Sequence, residues 1–218
     1  MSAPQPAKGP PRRVALEGTY VRLEPIGPQH VAGLYAAIGS GDGRERFTYL
    51  FETAPETEAE LADYVQRVGA SSDPLVFAVV DKARGSAEGR QALMRVVPEH
   101  GVIEIGGIYW GPNMARSRLA TEALFLHARY VFDELGYRRF EWKCNALNEP
   151  SKAAAKRFGF TFEGVFRQHM IQKGQNRDTA WFAMLDGDWP RLKAGYERWL
   201  APDNFDAEGR QRSKLRFD

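Results

Sequence analysis

The sequence predicts an α+β fold, a mixed and mostly antiparallel central sheet with helices on both faces. Three observations carry this prediction. Segments with apolar residues at helical spacing are interleaved with short runs that alternate or are rich in β-branched and aromatic residues. The strand-like runs cluster in the middle and again near the end, the pattern of α+β rather than regular βα alternation. Two strand–helix–strand crossovers interrupt the meander, where parallel neighbours become possible.

The elements follow in order. Residues 1–13, "MSAPQPAKGPPRR", hold four prolines and almost nothing apolar, so they are expected to form a mobile arm, with the folded domain spanning 14–190. "TYVRLEPI" reads as a strand stopped by Pro25. Val31, Leu34, Tyr35 and Ile38 then fall on one helical face before the loop "GSGDG", and "FTYLFETAP" is short and proline-bounded, a loop or single turn. Thr57 with Glu60 three residues later forms a capping box ahead of Leu61, Tyr64, Val65 and Val68, a second helix. "LVFAVVD" and "ALMRVVPE" are strand-like, the polar "KARGSAEGRQ" is expected to turn between them, and "GVIEIGGIYWGP" continues the meander.

From Ala120 to Leu135 one stripe carries Ala120, Ala123, Leu124, Ala128, Val131 and Leu135, and Gly136 supplies a left-handed stop. "RRFEWKCNA" follows as a strand. Asn148 caps a short helix that accommodates Pro150 in its first turn and closes on Gly159. "TFEGVFRQHMIQKG" and "RDTAWFAMLDGDW" form a hairpin. Residues 191–218 give one more helix, with Leu192, Tyr196, Trp199 and Leu200 as its stripe, and a polar tail.

Composition narrows the function. Thirty Lys and Arg against 28 Asp and Glu leave a net charge of +2, with the basic residues scattered, so a nucleic-acid surface is not indicated. No apolar run reaches the length of a membrane span, and the opening residues lack the apolar segment of a signal peptide. Cys144 is the sole cysteine, which fits a packed thiol in a reduced, cytoplasmic setting. The four histidines are far apart in sequence and lack metal-ligand spacing, so no metal is expected.

The stretch "GPNMARSRLATEALFLHARYVF" joins a strand end to a helix start flanked by Arg116 and Arg118. The first turn of a helix leaves amide donors at the positive end of its dipole, a ready anion site, and two guanidinium groups would add charged hydrogen bonds. A pyrophosphate is the expected ligand. The competing reading of these residues is an ordinary strand-to-helix turn with two solvated arginines.

Taken together, "IEIGGIYWGP", the "ATEA" helix opening, "N-x-x-S" at Asn148 to Ser151, the "FGF" ending and the "G…RD…A…F" hairpin resemble the GNAT superfamily of acyl-CoA-dependent N-acetyltransferases. The branch they look most like is that of the ribosomal-protein N-terminal acetyltransferases (RimJ/RimL-like). The resemblance implies a GNAT-like fold, acetyl-CoA as co-substrate, and pantetheine contacts from the backbone of Ile108, Tyr109 and Trp110. It further implies a pyrophosphate cradle in the run Asn113, Met114, Ala115, Arg116, Ser117, Arg118, Leu119, Ala120 and Thr121. The family loop is Gln or Arg, two residues, Gly, one residue, then Gly or Ala, so "NMARSR" places Arg116 and Arg118 where small residues usually stand. Glycine tolerates positive φ and arginine does not, so the loop is expected to keep ordinary helical or bridge geometry.

Acetyl transfer to an amine needs a neutral amine, a polarised carbonyl and a protonated leaving thiolate. Many family members protonate the thiolate with a tyrosine where this chain has Ala155. The resembled branch suggests Ser151 for that task, with Asn148 holding pantetheine amides; Ser151 could equally be a first-turn residue bonding its own backbone. His169 and Glu104 are candidate bases, each against the alternative of an exposed strand residue. Asp178 is expected to shape the site, and Phe47 and Tyr49 to wall the acceptor side, although Phe47 also suits a core role. The expected function is transfer of an acetyl group to a primary amine of a peptide N-terminus or small molecule, by direct attack in a ternary complex. A non-catalytic acyl-CoA-binding or interaction module is the alternative. Homodimers are common in the resembled family.

Overall fold

The computed structural model describes residues 5–218. Its elements are β1 (Leu16–Glu17), β2 (Val21–Pro25), α1 (Val31–Gly39), α2 (Glu58–Gly69), β3 (Leu75–Asp81), β4 (Ser86–Val97), β5 (Val102–Trp110), α3 (Arg118–Arg129), β6 (Arg139–Asn145), α4 (Glu149–Arg157), β7 (Thr161–Gln172), β8 (Gln175–Leu185) and α5 (Trp189–Leu200). Hydrogen-bonded strand neighbours follow the order β1-β2-β3-β4-β5-β6-β8-β7. The pairs β1/β2, β2/β3, β3/β4, β6/β8 and β7/β8 are all antiparallel, so the α+β expectation holds.

The chain forms two compact units. The N-terminal unit comprises Arg12–Met94 and Ile105–Leu126. Here α1 and α2 bury Leu34, Ile38, Leu61 and Val65 in a core with Val76, Ala78, Ala92 and Tyr109. Neighbouring residues on a strand face opposite ways. Next to Ala92, Gln91 points toward α3, and its Nε2 donates to the Ala123 carbonyl at 2.9 Å. Helices therefore cover both faces of this unit. Thr57 caps α2 by accepting from the Glu60 amide, while the Glu60 carboxylate takes the Glu56 amide rather than that of Thr57, so the cap forms without the reciprocal bond of a full capping box.

The other unit comprises the residues up to Pro11, Arg95–Glu104 and His127–Asp218. Helix α3 passes into a π-helical turn, Tyr130–Glu134, and the chain reverses at Gly136. Phe140, Trp142 and Phe160 make a chain of ring contacts between β6 and the end of α4. Helix α5 buries Leu192, Tyr196, Trp199 and Leu200, the stripe expected from sequence.

Four expectations are corrected. The polar run "KARGSAEGRQ" is mostly strand: β3 and β4 pair from Asp81 and Ser86 onward, which leaves only 82–85 to turn. Helix α3 begins at Arg118, two residues before the apolar stripe. In the arm, the amides of Ala7 and Lys8 donate to Pro98 and Leu135 carbonyls, and the Tyr137 hydroxyl donates to the Gly9 carbonyl at 3.1 Å. Backbone hydrogen bonding, independent of side-chain character, docks a segment whose composition predicts mobility. The polar tail likewise folds back: Trp199 Nε1 donates to the Ser213 carbonyl, and Phe217 packs 5.3 Å from the Tyr196 ring.

Candidate functional site

The N-terminal unit brings together the end of β5, the loop 111–117 and the first turn of α3. Gly89 on β4 lies so close to this corner that a Cβ there would come within 2.6 Å of the Tyr109 carbonyl oxygen and the Met114 sulfur. The missing side chain lets β4 press against the strand end. The Gly111 amide donates to the Glu88 carbonyl at 2.9 Å, and Asn113 Nδ2 donates to the Glu88 carboxylate at 3.1 Å. Met114 is fully buried and plugs the loop from beneath.

Ser117 organises the helix start. Its hydroxyl donates to the Met114 carbonyl at 2.6 Å and accepts from the Leu119 amide at 3.1 Å. This satisfies one of the first-turn donors that have no intrahelical acceptor. Thr121 Oγ1 reaches back to the Ser117 carbonyl, and Ala120 and Thr121 are buried against the unit.

Arg116 adopts φ 61°, the left-handed conformation for which glycine is the ordinary choice. The expectation of helical or bridge geometry is thus overturned at this position. The loop keeps the backbone path that the glycine pattern encodes, and an arginine is held in it. Arg116 is exposed and has no ion-pair partner among the described residues. Arg118 differs: it opens α3, and its guanidinium lies 4.3 Å from the centroid of the Tyr20 ring, a cation–π contact.

On the acceptor-side candidates, Phe47 is buried 5.0 Å from the Tyr109 ring, so it belongs to the core of this unit, while Tyr49 is half-buried. Burial pushes the Tyr109 phenol up to about 12, which keeps it neutral; its hydroxyl has no hydrogen-bond partner among the described residues. Ile108 and Trp110 flank it on β5, and Trp110 Nε1 donates to Gln91 at 3.0 Å.

The C-terminal unit holds the other candidates. Asn148 caps α4 by accepting from the Ser151 amide at 3.1 Å. Ser151 is not spent on its own backbone: its hydroxyl accepts from Trp142 Nε1 at 3.0 Å and hydrogen-bonds Cys144. Burial raises the Cys144 thiol, so it stays protonated as a packed strand residue. Ala155 is fully buried at the position where the resembled family often carries tyrosine.

Glu104 is not an exposed strand carboxylate. It is 3% exposed and lies between Arg95 Nη1 at 2.7 Å and Lys143 Nζ at 2.8 Å. Lys143 also pairs with Glu141 and sits 3.9 Å from the Trp181 centroid. A carboxylate with two cationic partners already has its lone pairs engaged, and proton transfer would disrupt both pairs. The signal missed in sequence is that Arg95, Glu104 and Lys143 come from three different strands.

His169 Nδ1 lies 3.0 Å from Thr179 Oγ1, beside the rings of Phe166 and Trp181. Asp178 secures the irregularity between Phe166 and Met170: its Oδ1 accepts from the Gln168 amide at 2.7 Å and from Asn176 at 2.9 Å, and these bonds hold its carboxyl below the usual range. Among the described residues no group of three or more His, Cys, Asp or Glu side chains is arranged to hold a metal ion.

A family model described as an acetyltransferase (GNAT) domain matches residues 21–161. No curated protein matches the sequence. Among solved structures, a GCN5-related N-acetyltransferase from Brucella melitensis is 57% identical, with 97% of this chain and 96% of that one covered and a TM-score of 0.93. A protein of the GNAT family from Chromobacterium violaceum ATCC 12472 is 38% identical over 87% of this chain and 94% of its own, with a TM-score of 0.78. The microcin C7 self-immunity acetyltransferase MccE, solved with acetyl-CoA and AMP, is 20% identical over 77% of this chain and 93% of its own; its TM-score of 0.68 marks a likeness of fold.

Proposed function

Because the chain belongs to the GNAT acetyltransferase family, we propose that it transfers an acetyl group from acetyl-CoA to a primary amine by direct attack in a ternary complex. The observation that supports this reading most directly is Arg116 at φ 61°: the loop takes a left-handed path at the position where the resembled family's loop carries glycine. The amides at the start of α3 and the Arg116 guanidinium hold the CoA diphosphate, charge against charge at the positive end of the helix. Backbone groups of Ile108, Tyr109 and Trp110 bind the pantetheine arm.

In the reaction the neutral amine nitrogen attacks the thioester carbonyl carbon, the C–S bond breaks as the amide forms, and the leaving sulfur takes a proton. A β5 amide polarises the carbonyl. We assign the proton to the Ser151 hydroxyl, which is preoriented by Trp142 and regains its proton from solvent. His169 remains the candidate base for the amine, because Glu104 is engaged by Arg95 and Lys143. Asn148 supports the pantetheine amides, and Asp178 shapes the hairpin. The acceptor is a peptide N-terminus, as in the RimJ/RimL-like branch, or a small amine; the protein works in the cytoplasm and needs no metal.

The test is thiol release from acetyl-CoA over a panel of amines and peptides, paired with a melt in the presence of CoA. Only the folded state carries the site, so bound CoA raises the melting temperature. A shift with no thiol release on any acceptor assigns the chain to the non-catalytic alternative. No shift up to millimolar CoA rejects acyl-CoA binding and favours the protein-interaction alternative.

A further inference from the structure

Arg90 on β4 is buried in the N-terminal unit, yet the acyl-CoA reading gives it no task. Its Nη1 donates to the Gly107 carbonyl at 2.7 Å, its Nη2 pairs with Glu52, and its guanidinium lies 4.8 Å from the Tyr64 centroid. One cation thus ties together β5, the loop before α2, and α2 itself. Gly107 has φ +56°, an irregular point directly ahead of Ile108, Tyr109 and Trp110.

Beside Arg90 is a cavity of about 190 Å³, lined in part by Phe47, Glu52, Leu61, Tyr64 and Arg67. The paired side chains differ in access: Arg90 is 5% exposed and Glu52 34%. Only one Glu52 oxygen is engaged by Arg90; the other has no hydrogen-bond partner among the described residues. The remaining charges on the cavity are already committed in part, Glu60 to the Glu56 amide at 2.8 Å and Arg67 over the Tyr64 ring at 5.7 Å. A buried guanidinium is retained only where its hydrogen bonds offset the loss of water. Here those bonds hold a carboxylate toward the cavity and brace the strand that leads to the pantetheine contacts.

We propose that Glu52 receives the ammonium form of the amine acceptor and that Arg90 is the positioning residue that fixes both Glu52 and the backbone at Gly107. This rests on the acetyl-transfer reading above and names the group that recognises its acceptor. The unengaged oxygen of this partly exposed carboxylate attracts a cation, and Phe47 and Leu61 line the apolar side of the cavity, the Tyr64 ring being already faced by Arg90 and Arg67.

The test is steady-state acetyl transfer to the best acceptor of the amine panel, with KM for each substrate measured in wild type, Glu52→Gln, Arg90→Lys and Arg90→Met. Glu52→Gln is expected to raise the acceptor KM about tenfold and leave the acetyl-CoA KM unchanged. Arg90→Met raises the acceptor KM and lowers kcat, because both the carboxylate and the strand lose their brace. Arg90→Lys falls between, since an ammonium can serve one partner but not the fork of two. A folded Glu52→Gln enzyme with an unaltered acceptor KM overturns the proposal, as does an Arg90→Met enzyme that melts earlier with unchanged kinetics. Wild-type inactivity on every amine overturns the acetyl-transfer reading, and this proposal with it.

Discussion

Glu122 in the second turn of α3 accepts the amide hydrogen of Tyr20 at 2.6 Å, and its two oxygens also take the amides of Thr19 and Val21 at 2.7 Å each. The side chain is 3% exposed, so this is a buried carboxylate satisfied by three backbone donors at the start of β2. It anchors the helix whose N-terminus forms the proposed diphosphate site. Glu122→Ala orphans the three donors and is expected to destabilise the protein by about 3 kcal/mol. Glu122→Gln, which keeps an acceptor oxygen, costs less. Denaturant titration checks both, and an alanine variant as stable as the parent rejects the anchoring role.

The left-handed Arg116 makes an inverted prediction about small residues. Alanine at φ 61° keeps the strain that glycine relieves, so Arg116→Gly is expected to be more stable than Arg116→Ala by about 1 kcal/mol. Both variants lose the guanidinium and bind CoA more weakly than the parent, and Arg116→Glu more weakly still. Equal stability of the glycine and alanine variants contradicts the loop geometry; equal CoA affinity in all four proteins removes the arginine from the site.

Ser151→Ala separates proton delivery from binding. If its hydroxyl protonates the leaving thiolate, kcat falls by about a hundredfold while the acetyl-CoA KM changes little. Trp142 Nε1 also loses its acceptor, so Ser151→Thr, which retains the hydroxyl, is the control. An alanine variant with wild-type kcat assigns Ser151 to packing alone.

His127 predicts an acid-side loss of stability. Burial holds its imidazole near a pKa of about 3, against an ordinary 6.5. Between those values the unfolded chain binds a proton that the folded protein refuses, so stability falls as pH drops from 6.5 toward 3 and is flat in this respect above 6.5. At about pH 5 the loss from this residue is roughly 2 kcal/mol relative to neutral pH. Urea titrations should show the parent losing about 2 kcal/mol more stability than His127→Gln between neutral pH and about pH 5, and parallel pH profiles reject it.

Most of the fold was legible because periodicity survives in the segments that bury one face. The α3 stripe, the Thr57 and Asn148 caps and the late hairpin all appear where the pattern places them. The first half of strand β4, residues 86–91, was hidden because its buried positions include Glu88, Arg90 and Gln91, which reach satisfying partners through the tertiary fold. Patterning reads polarity as exposure. Glu104 was misread for the same reason, and the docked arm and tail because their attachments depend substantially on backbone groups and a few aromatic rings. In the loop, the residue type at 116 argued against the conformation that the position adopts, since local preference yields where the surrounding turn is fixed by Gly111, Met114 and Ser117 contacts.

Amide hydrogen exchange with and without saturating CoA addresses the diphosphate grip most directly. Bound ligand should slow exchange at the backbone amides of Arg116 through Thr121, with Arg116→Glu needing more CoA to reach the same protection. Full occupancy by CoA with those amides exchanging as fast as in the free protein would contradict the account.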